Sequence, residues 1–446
     1  MFGFFETGLQ HLYWGNGVMV LIGVALIYLG ISKKMEPLLL IPIGFGILLI
    51  NLPLGGLMDY ELQIKSPAEV PGRVISIQID EGAKVREGDV IFQLDSGDVS
   101  APIGGRIIEL RASPGQEVDP DEVIAVMVTT TQTELPVQPV GLLSIIFQYG
   151  IMWQVIPPLI FLCLGSLTDF GPMIANPKTL LLGAAAQFGV YFAFFMALLA
   201  GFSMAEASSI GIIGGAEGPT TIYVTSVLAP HIIGATAIAT YSYMALVPII
   251  QPPIIRLLTT KKERAIYMKP QLRDVAKVEK IVFPIIAAVV VILIVPLSAP
   301  LIGMFMVGNL FAMSGVTDRL SQTASTSLID ILTIFLTLSI GATMTAENFF
   351  MSKTLIILAL GMVAFATATA AGVLMAKFMN LFSKEKINPM IGAAGVSAVP
   401  MSARVVQLMG QKANPRNFLL MHAMGPNVAG AIGAAIAGGV FLGMMG

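Results

Sequence analysis

Apolar runs long enough to cross ~30 Å of hydrocarbon recur along almost the whole chain, and no other feature restricts its fold so severely. A backbone in lipid must satisfy its own N–H and C=O groups, and runs of this length do so as helices. Candidate spans are residues 17–33, 36–52, 140–165, 178–202, 231–258, 279–297, 299–316, 328–348, 354–382 and 417–445. The first lacks a signal-peptide cleavage pattern and is expected to stay as a membrane helix. Composition agrees: 55% of the 446 residues are hydrophobic and 12% charged, with a mean hydropathy of +0.83, too little polar surface for a soluble globule of this size. A net charge of -2 offers no attraction to nucleic acid, and the single Cys163 can form no intrachain disulfide, so redox chemistry is not expected. The 45 Gly and 27 Pro, many inside apolar stretches, point to close helix packing and interrupted helices.

One stretch breaks the pattern. Residues 60–134 hold 14 of the 27 acidic residues and no apolar run longer than a strand, so they form a soluble insertion. Within it Gly72-Arg73-Val74-Ile75, Gly82, Val85, Asp89 and Val90-Ile91 return as Gly105-Arg106-Ile107-Ile108, Gly115, Val118, Glu122 and Val123-Ile124, at a constant offset of 33. Two copies of short period-2 strands broken by Gly turns predict a small pseudo-twofold β-sandwich or flattened barrel, which resembles biotinyl/lipoyl carrier domains. Those domains carry a modified Lys on a hairpin between the halves. Here Leu94-Asp95-Ser96-Gly97-Asp98-Val99-Ser100 is shorter and has none, and the only lysines of the insertion, Lys65 and Lys84, lie elsewhere. The expected role is an unmodified spacer or docking module.

A second repeat runs through the membrane part. Ile210-Gly211, Gly214 and Pro219 match Ile391-Gly392, Gly395 and Pro400 at an offset of 181, and Lys178-Thr179-Leu180 matches Lys353-Thr354-Leu355 at 175. Each motif follows one long apolar run and precedes another, predicting Gly-rich hairpins at 206–228 and 388–411. Placing Lys33-Lys34, the loop from Lys261 to Lys280 and Lys384 to Lys386 all on the cytoplasmic side makes the first hairpin enter from outside and the second from the cytoplasm. Inverted-topology repeats demand that arrangement. The same count puts the insertion outside. The expected fold is an all-α polytopic membrane protein with two inverted repeats and a small all-β insertion. It divides into N-terminal membrane helices (1–59), the insertion (60–134), a first membrane repeat (135–277), connecting membrane segments (278–318) and a second repeat (319–446).

The chemistry concentrates in the hairpins. Gly214-Gly215-Ala216-Glu217-Gly218-Pro219-Thr220-Thr221 sets a carboxylate amid apolar helices, where a charge costs several kcal/mol unless partnered or bound to a cation. Flanking Gly and Pro residues free backbone carbonyls and a half-helix end to join it in holding Na⁺. A Glu neutralised by burial, or capping a hairpin helix, is the plainer alternative. The second hairpin offers Asn388, Ser397 and Ser402 but no acid, so neutral oxygens there and one carboxylate opposite balance a monovalent cation. Arg404 binds an anionic carboxylate or reaches to the membrane interface. Tyr241-Ser242-Tyr243 lies in an apolar helix and offers a proton donor or interface aromatics. Asp169, before Phe170-Gly171-Pro172, reads as a helix cap. His11, His231 and His422 share no metal spacing, and Gly425-Pro426-Asn427 reads as close packing or cavity contact.

Glu36-Pro37-Leu38, Thr168-Asp169-Phe170-Gly171-Pro172, Asn176-Pro177-Lys178-Thr179-Leu180, the run from Tyr241 to Pro248 and Met421-His422-Ala423-Met424-Gly425-Pro426-Asn427 together resemble the membrane (β) subunit of Na⁺-pumping biotin-dependent decarboxylases. Those pumps act on oxaloacetate, methylmalonyl-CoA or glutaconyl-CoA. The resemblance covers nearly everything except the insertion. It implies decarboxylation of carboxybiotin presented by a carrier subunit, coupled to Na⁺ export and proton consumption. Implied partners are the biotin-carrier subunit, a carboxyltransferase (α) subunit, a small membrane (γ/δ) subunit and further copies of the chain, in the bacterial cytoplasmic (inner) membrane. Carried over by position, Glu217, Asn388, Gly392 and Ser397 become the Na⁺ set, Tyr243 and Arg404 the catalytic residues, and Arg404 the carboxybiotin contact. The family pattern usually has Asp where this chain has Glu217. From the residues alone, a Na⁺-coupled secondary carboxylate transporter remains an alternative, as does a noncatalytic membrane anchor.

Overall fold

The computed structural model describes residues 12–66, 71–130, 137–269 and 273–445. His11 lies outside them, as do parts of both ends of the insertion. Two compact units emerge, one made of Leu52–Gln148 and the other of Leu12–Asn51 with Tyr149–Gly446.

The helical unit is a polytopic bundle. Seven helices are long and apolar enough to cross a membrane: Trp14–Ser32, Thr179–Leu199, Pro230–Leu258, Pro296–Ser314, Asp318–Ala342, Ser352–Phe382 and Leu420–Met445. Of the other expected spans, 36–52 becomes the Pro37–Ile50 helix of 14 residues, which rises only about 21 Å. The 279–297 run becomes Lys277–Ile294, 18 residues long with three charges in its first turn. Along this helix only Pro284 is fully buried; Phe283, Val291 and Ile292 pack against the core, while Val282, Ile285, Ile286, Val289 and Val290 are exposed. Glycine content does the packing work anticipated for it. A Cβ on Gly308 would lie 1.9 Å from the Leu162 carbonyl and one on Gly165 1.9 Å from that of Phe305, so the Ile156–Leu167 and Ala299–Ser314 helices touch backbone to backbone. Phe161, Phe170 and Phe305 fill the space beside that crossing.

The other unit carries nine strands: β1 (Tyr60–Lys65), β2 (Gly72–Ile77), β3 (Lys84–Val85), β4 (Val90–Leu94), β5 (Gly97–Ser100), β6 (Gly105–Leu110), β7 (Glu117–Val118), β8 (Val123–Thr129) and β9 (Val137–Pro139). They form two antiparallel sheets, ordered β3-β6-β8-β1-β9 and β5-β4-β2-β7. Strands 33 residues apart take equivalent places: β2 lies between β4 and β7, β6 between β8 and β3. The short strand of each half thus pairs with the other half. Gly82 and Gly115, also 33 apart, hold φ of +84° and +87° at the matching turns, a backbone region glycine enters without cost. Alternate residues point inward, so Val74, Ile91, Ile107 and Ile124 are all buried. The sheet runs past the expected limit at 134, because β9 pairs with β1, Tyr60 opposite Pro139.

Candidate functional site

Both Gly-rich segments form interrupted helices. In the first, Met204–Ile213 stops at Gly214 and a new helix, Gly218–Leu228, begins after Glu217. Ala216 turns the chain with a φ of +52°, a strained value for a residue with a Cβ. Glu217 occupies the cap position of the second helix, yet its side chain makes no capping hydrogen bond. Its carboxylate, 3% exposed, accepts instead from the Ser397 hydroxyl. The positive end of the Gly218–Leu228 dipole lies behind it.

In the second segment Met390–Ala393 stops before a non-helical stretch, and Met401–Ala413 resumes beyond Pro400. The two tips touch. Besides the hydroxyl bond, the Ser397 backbone N–H donates to the Gly215 carbonyl at 3.0 Å. Ser397 thereby fixes the second tip to the first by side chain, to Glu217 180 positions earlier, and by backbone, to Gly215.

Two amides clamp the second tip. Asn427 Nδ2 donates to the carbonyls of Ala394 and Val396, each at 3.0 Å, and Gln251 Nε2 to that of Ala393, also at 3.0 Å. Because carbonyls only accept, these contacts fix the amide nitrogens and aim the oxygens elsewhere. Asn427 Oδ1, Gln251 Oε1 and Thr220 Oγ1 are buried with no hydrogen-bond partner. Orphaned buried oxygens are costly, and they are the donor atoms a hard cation takes. Carboxylate, hydroxyl and amide oxygens around the two tips therefore suit Na⁺. Among the described residues no cluster of three or more His, Cys, Asp or Glu suits a transition metal.

A cavity of about 340 Å³ reaches Glu217, lined also by Tyr241, Pro219, Ala398 and Met401. Tyr241 is 3% exposed, and its phenol has no hydrogen bond among the described residues. It packs so tightly over the hairpin that a Cβ on Gly218 would meet its ring at 2.5 Å.

The structure brings Glu217 and Ser397 together but places the other expected residues differently. The Tyr243 hydroxyl donates to the Leu358 carbonyl, tying the Ile233–Leu258 helix to Ser352–Phe382. The reason is helical: two residues advance about 200° around the axis, so Tyr241 and Tyr243 face opposite ways. Asn388 donates to the carbonyls of Arg264 (2.8 Å) and Ile266 (2.9 Å) and accepts from the Met390 N–H, which consumes its polar atoms at the hairpin entrance. Gly392 packs against the Ser352–Phe382 helix, where a Cβ would lie 2.0 Å from the Gly372 carbonyl. Arg404 is exposed, and its charge acts on Glu36 through space. Asp169 caps the Gly171–Ala175 helix through the Gly171 N–H at 2.8 Å and pairs with Lys280 at 3.0 Å. Not singled out from the sequence were Gln251 and a second hairpin acid, Glu206, which receives Lys353 at 2.8 Å and His231 at 3.0 Å. Lys353 belongs to a Lys-Thr-Leu repeat that did mark it as unusual.

Two interrupted helices whose tips meet at one buried carboxylate, inside a polytopic bundle, define a membrane ion translocator. Residues 15–445 match the family of the Na⁺-transporting oxaloacetate decarboxylase beta subunit, and the chain belongs to that family. It is 50% identical over 442 residues to the methylmalonyl-CoA decarboxylase subunit beta of Propionigenium modestum, covering 99% of this chain and 98% of the relative. Oxaloacetate decarboxylase beta chains are similar too: a probable one from Vibrio cholerae serotype O1 is 49% identical over 444 residues (98% and 97% covered), and that of Klebsiella pneumoniae 49% over 441 (98% and 96%). The chain is thus a multi-pass bacterial membrane protein, a subunit in which decarboxylation is coupled to Na⁺ transport. Membership favours this function over a Na⁺-coupled secondary carboxylate transporter.

Proposed function

We propose that this chain decarboxylates carboxybiotin presented by a carrier subunit and exports Na⁺ through the site formed where its two hairpin tips meet. The observation that carries the reading is the double contact of Ser397 with Glu217 and Gly215. Na⁺ is held by the Glu217 carboxylate with Ser397 and freed amide and backbone oxygens, while Asn388 and Gly392 seat the second hairpin. A cation on Glu217 cancels the negative charge that acts on the Tyr241 phenol. Proton transfer from the phenol then leaves one negative charge beside the hairpin tip instead of the two that phenolate and free Glu217 would place there, an economical arrangement in a low-dielectric site. The proton goes to the biotin nitrogen as CO₂ leaves, and Tyr241 is reprotonated from outside. Arg404, exposed beyond the tip, receives the carboxylate of carboxybiotin before it enters.

The 181-residue offset of the hairpin motifs and the meeting of their tips support two inverted repeats, with alternating access around a fixed site. The equivalent strands of the β unit support a biotinyl/lipoyl-like fold. Its β4–β5 turn is only Asp95 and Ser96, with Asp95 accepting from the Arg73 N–H at 2.8 Å, so it offers no acceptor lysine. Carrier and carboxyltransferase functions then belong to other subunits.

Membranes carrying Glu217→Gln test the assignment. Na⁺-dependent carboxybiotin decarboxylation and Na⁺ uptake into inverted vesicles should both be lost; unimpaired coupled transport overturns it. Insensitivity of wild-type transport to avidin would instead favour a free carboxylate substrate.

A further inference from the structure

A buried carboxylate at the base of the first hairpin has no part in the chemistry above. Glu206 stands in the first turn of the Met204–Ile213 helix, and its two oxygens are used differently. Oε2 accepts from the Ser203 N–H at 2.9 Å, an ordinary N-terminal cap. Oε1 accepts from Lys353 Nζ at 2.8 Å and lies 3.0 Å from His231 Nε2. His231 follows the hairpin's second helix, Gly218–Leu228, and Lys353 starts the Ser352–Phe382 helix in the other half of the membrane unit. A cap explains the first oxygen only. The second joins both legs of the hairpin to a lysine 147 positions further on, which also sits 5.7 Å over the Phe202 ring.

This group of side chains closes one side of Glu217. Every residue from Glu206 to Ser226 is buried, whereas Ser203, Met204, Val227 and His231 are exposed, so Glu206 marks the border between the packed hairpin and the surface. The cavity reaches Glu217 from another direction: its lining includes Glu36 and, among the described residues, none of 204–216 or 220–235. Glu36 follows Lys33-Lys34 closely. Placing the basic loops in the cytoplasm therefore sets the cavity on the cytoplasmic side and Glu206 on the outer one. The Ser352–Phe382 helix fits this arrangement. Lys353 and Lys377 are about 36 Å apart along it, longer than the ~30 Å hydrocarbon core. Its ends reach opposite faces, gripped at one by Glu206 and at the other by Glu263. The grips differ: the Glu206 side chain is 6% exposed and that of Glu263 26%, so water screens the second pair more.

We infer that Glu206 and Lys353, with His231, form the outer latch of the transport path. Closed, the latch holds the first hairpin to the second half of the chain, and an ion at Glu217 meets only the cytoplasmic cavity. Its parting frees the base of the hairpin and lets Na⁺ leave outward. Glu206 and Lys353 are thus positioning residues for export. The inference rests on the reading of Glu217 as the ion site between inverted repeats.

Inverted vesicles carrying the full complex, with Na⁺ uptake and CO₂ release measured together, test it. Glu206→Gln keeps an oxygen for the Ser203 cap and removes the charge that holds Lys353; Lys353→Met removes the cation. Both should release CO₂ yet take up less Na⁺ for each CO₂. Na⁺ loaded inside should leak out roughly tenfold faster without decarboxylation, the shift expected from losing one charge-assisted hydrogen bond. Lys353→Arg, which keeps charge and donor, should couple like the wild type. Variants that lose CO₂ release and Na⁺ uptake in constant proportion overturn the inference, since a merely structural tie does that. Wild-type coupling in Glu206→Gln, or a leak equally fast for K⁺, overturns it too. Adding Glu217→Gln to Glu206→Gln separates the two readings: the leak should vanish, and a Na⁺-selective leak that persists strikes Glu217 as the ion site and not the latch.

Discussion

Among the described residues Glu217 is held in place by a single side-chain donor, the Ser397 hydroxyl, and that economy makes its affinity for a cation easy to perturb. A hydrogen bond to a charged group is worth about 1.5–3 kcal/mol. Ser397→Ala should therefore raise the Na⁺ concentration for half-maximal decarboxylation by roughly tenfold or more, one decade per about 1.4 kcal/mol. The two tyrosines should separate in a different way. Tyr241→Phe removes the phenol that lines the cavity and should lower decarboxylation by about 100-fold, the contribution of a positioned proton donor, with little change in melting temperature. Tyr243→Phe removes the tie to the Leu358 carbonyl and should cost about 1 kcal/mol of stability with turnover near wild type. Equal loss of turnover in both would return the catalytic role to Tyr243. Glu217 and Ser397 were legible because Gly and Pro around an isolated polar residue announce a broken helix. Which tyrosine faces the cavity was not, since both alternatives fit one apolar helix and only its rotation against the hairpin decides.

Hairpins and loops are seated by contacts that sequence patterns barely record. Gly392 was expected to ligate on the strength of the resemblance to the decarboxylase β subunits, and it sits instead in backbone contact: Gly392 and Gly372 each leave 2.0 Å between a hypothetical Cβ and the other's carbonyl. Gly392→Ala should displace the second hairpin, costing at least the 1–3 kcal/mol typical of overpacking, and weaken Na⁺ dependence together with thermal stability in detergent. A stable variant with wild-type Na⁺ dependence would show that the crossing tolerates a methyl group. Asn388 anchors the same hairpin to the loop at Arg264 and Ile266, and Glu263 in that loop reaches Lys377 at 3.1 Å. Burial alone would raise the Glu263 carboxyl, but hydrogen bonds from the Thr260 N–H, Lys377 and the Thr260 hydroxyl outweigh it and hold it below the usual carboxylate range. A lowered folded value means the tie is fully present above about pH 4.3, the ordinary value, and fades as pH falls through the depressed one. Both groups are partly exposed, so the pair contributes no more than about 1 kcal/mol. Glu263→Gln should accordingly speed amide exchange at residues 260–266 modestly at pH 7, the difference vanishing in strong acid; a difference that persists there would assign the anchoring to Asn388 alone.

At the scale of the molecule, the seven long apolar helices were legible from hydropathy, and the 33-residue repeat announced the strands that exchange between sheets. The limit of the β unit was not, because β9 is three residues long and its pairing with β1 leaves no periodicity in the sequence. That pairing has a consequence for independence. The chain enters at Tyr60 and leaves at Pro139 on neighbouring strands, and the Asp59 carbonyl accepts from both Val140 (3.0 Å) and Gly141 (3.1 Å). A unit whose ends meet in one hydrogen-bonded pair, with its own core of Leu62, Val74, Phe92, Ile107 and Ile124, has the anatomy of a module that folds alone. Expressed as residues 57–141, it should be soluble and melt in one cooperative transition, with a strand-type circular dichroism spectrum. Its intact mass should show no biotinyl addition, since Lys65 and Lys84 lie away from the Asp95-Ser96 turn. The remaining membrane unit, closed by a short Gly/Ser linker across Asp59 and Val140, should keep Na⁺-dependent decarboxylation when assembled with its partner subunits, because Glu217, Ser397 and Tyr241 all belong to that unit. Loss of activity in a folded, assembled complex would show that the β unit takes part in presenting carboxybiotin and is more than a spacer.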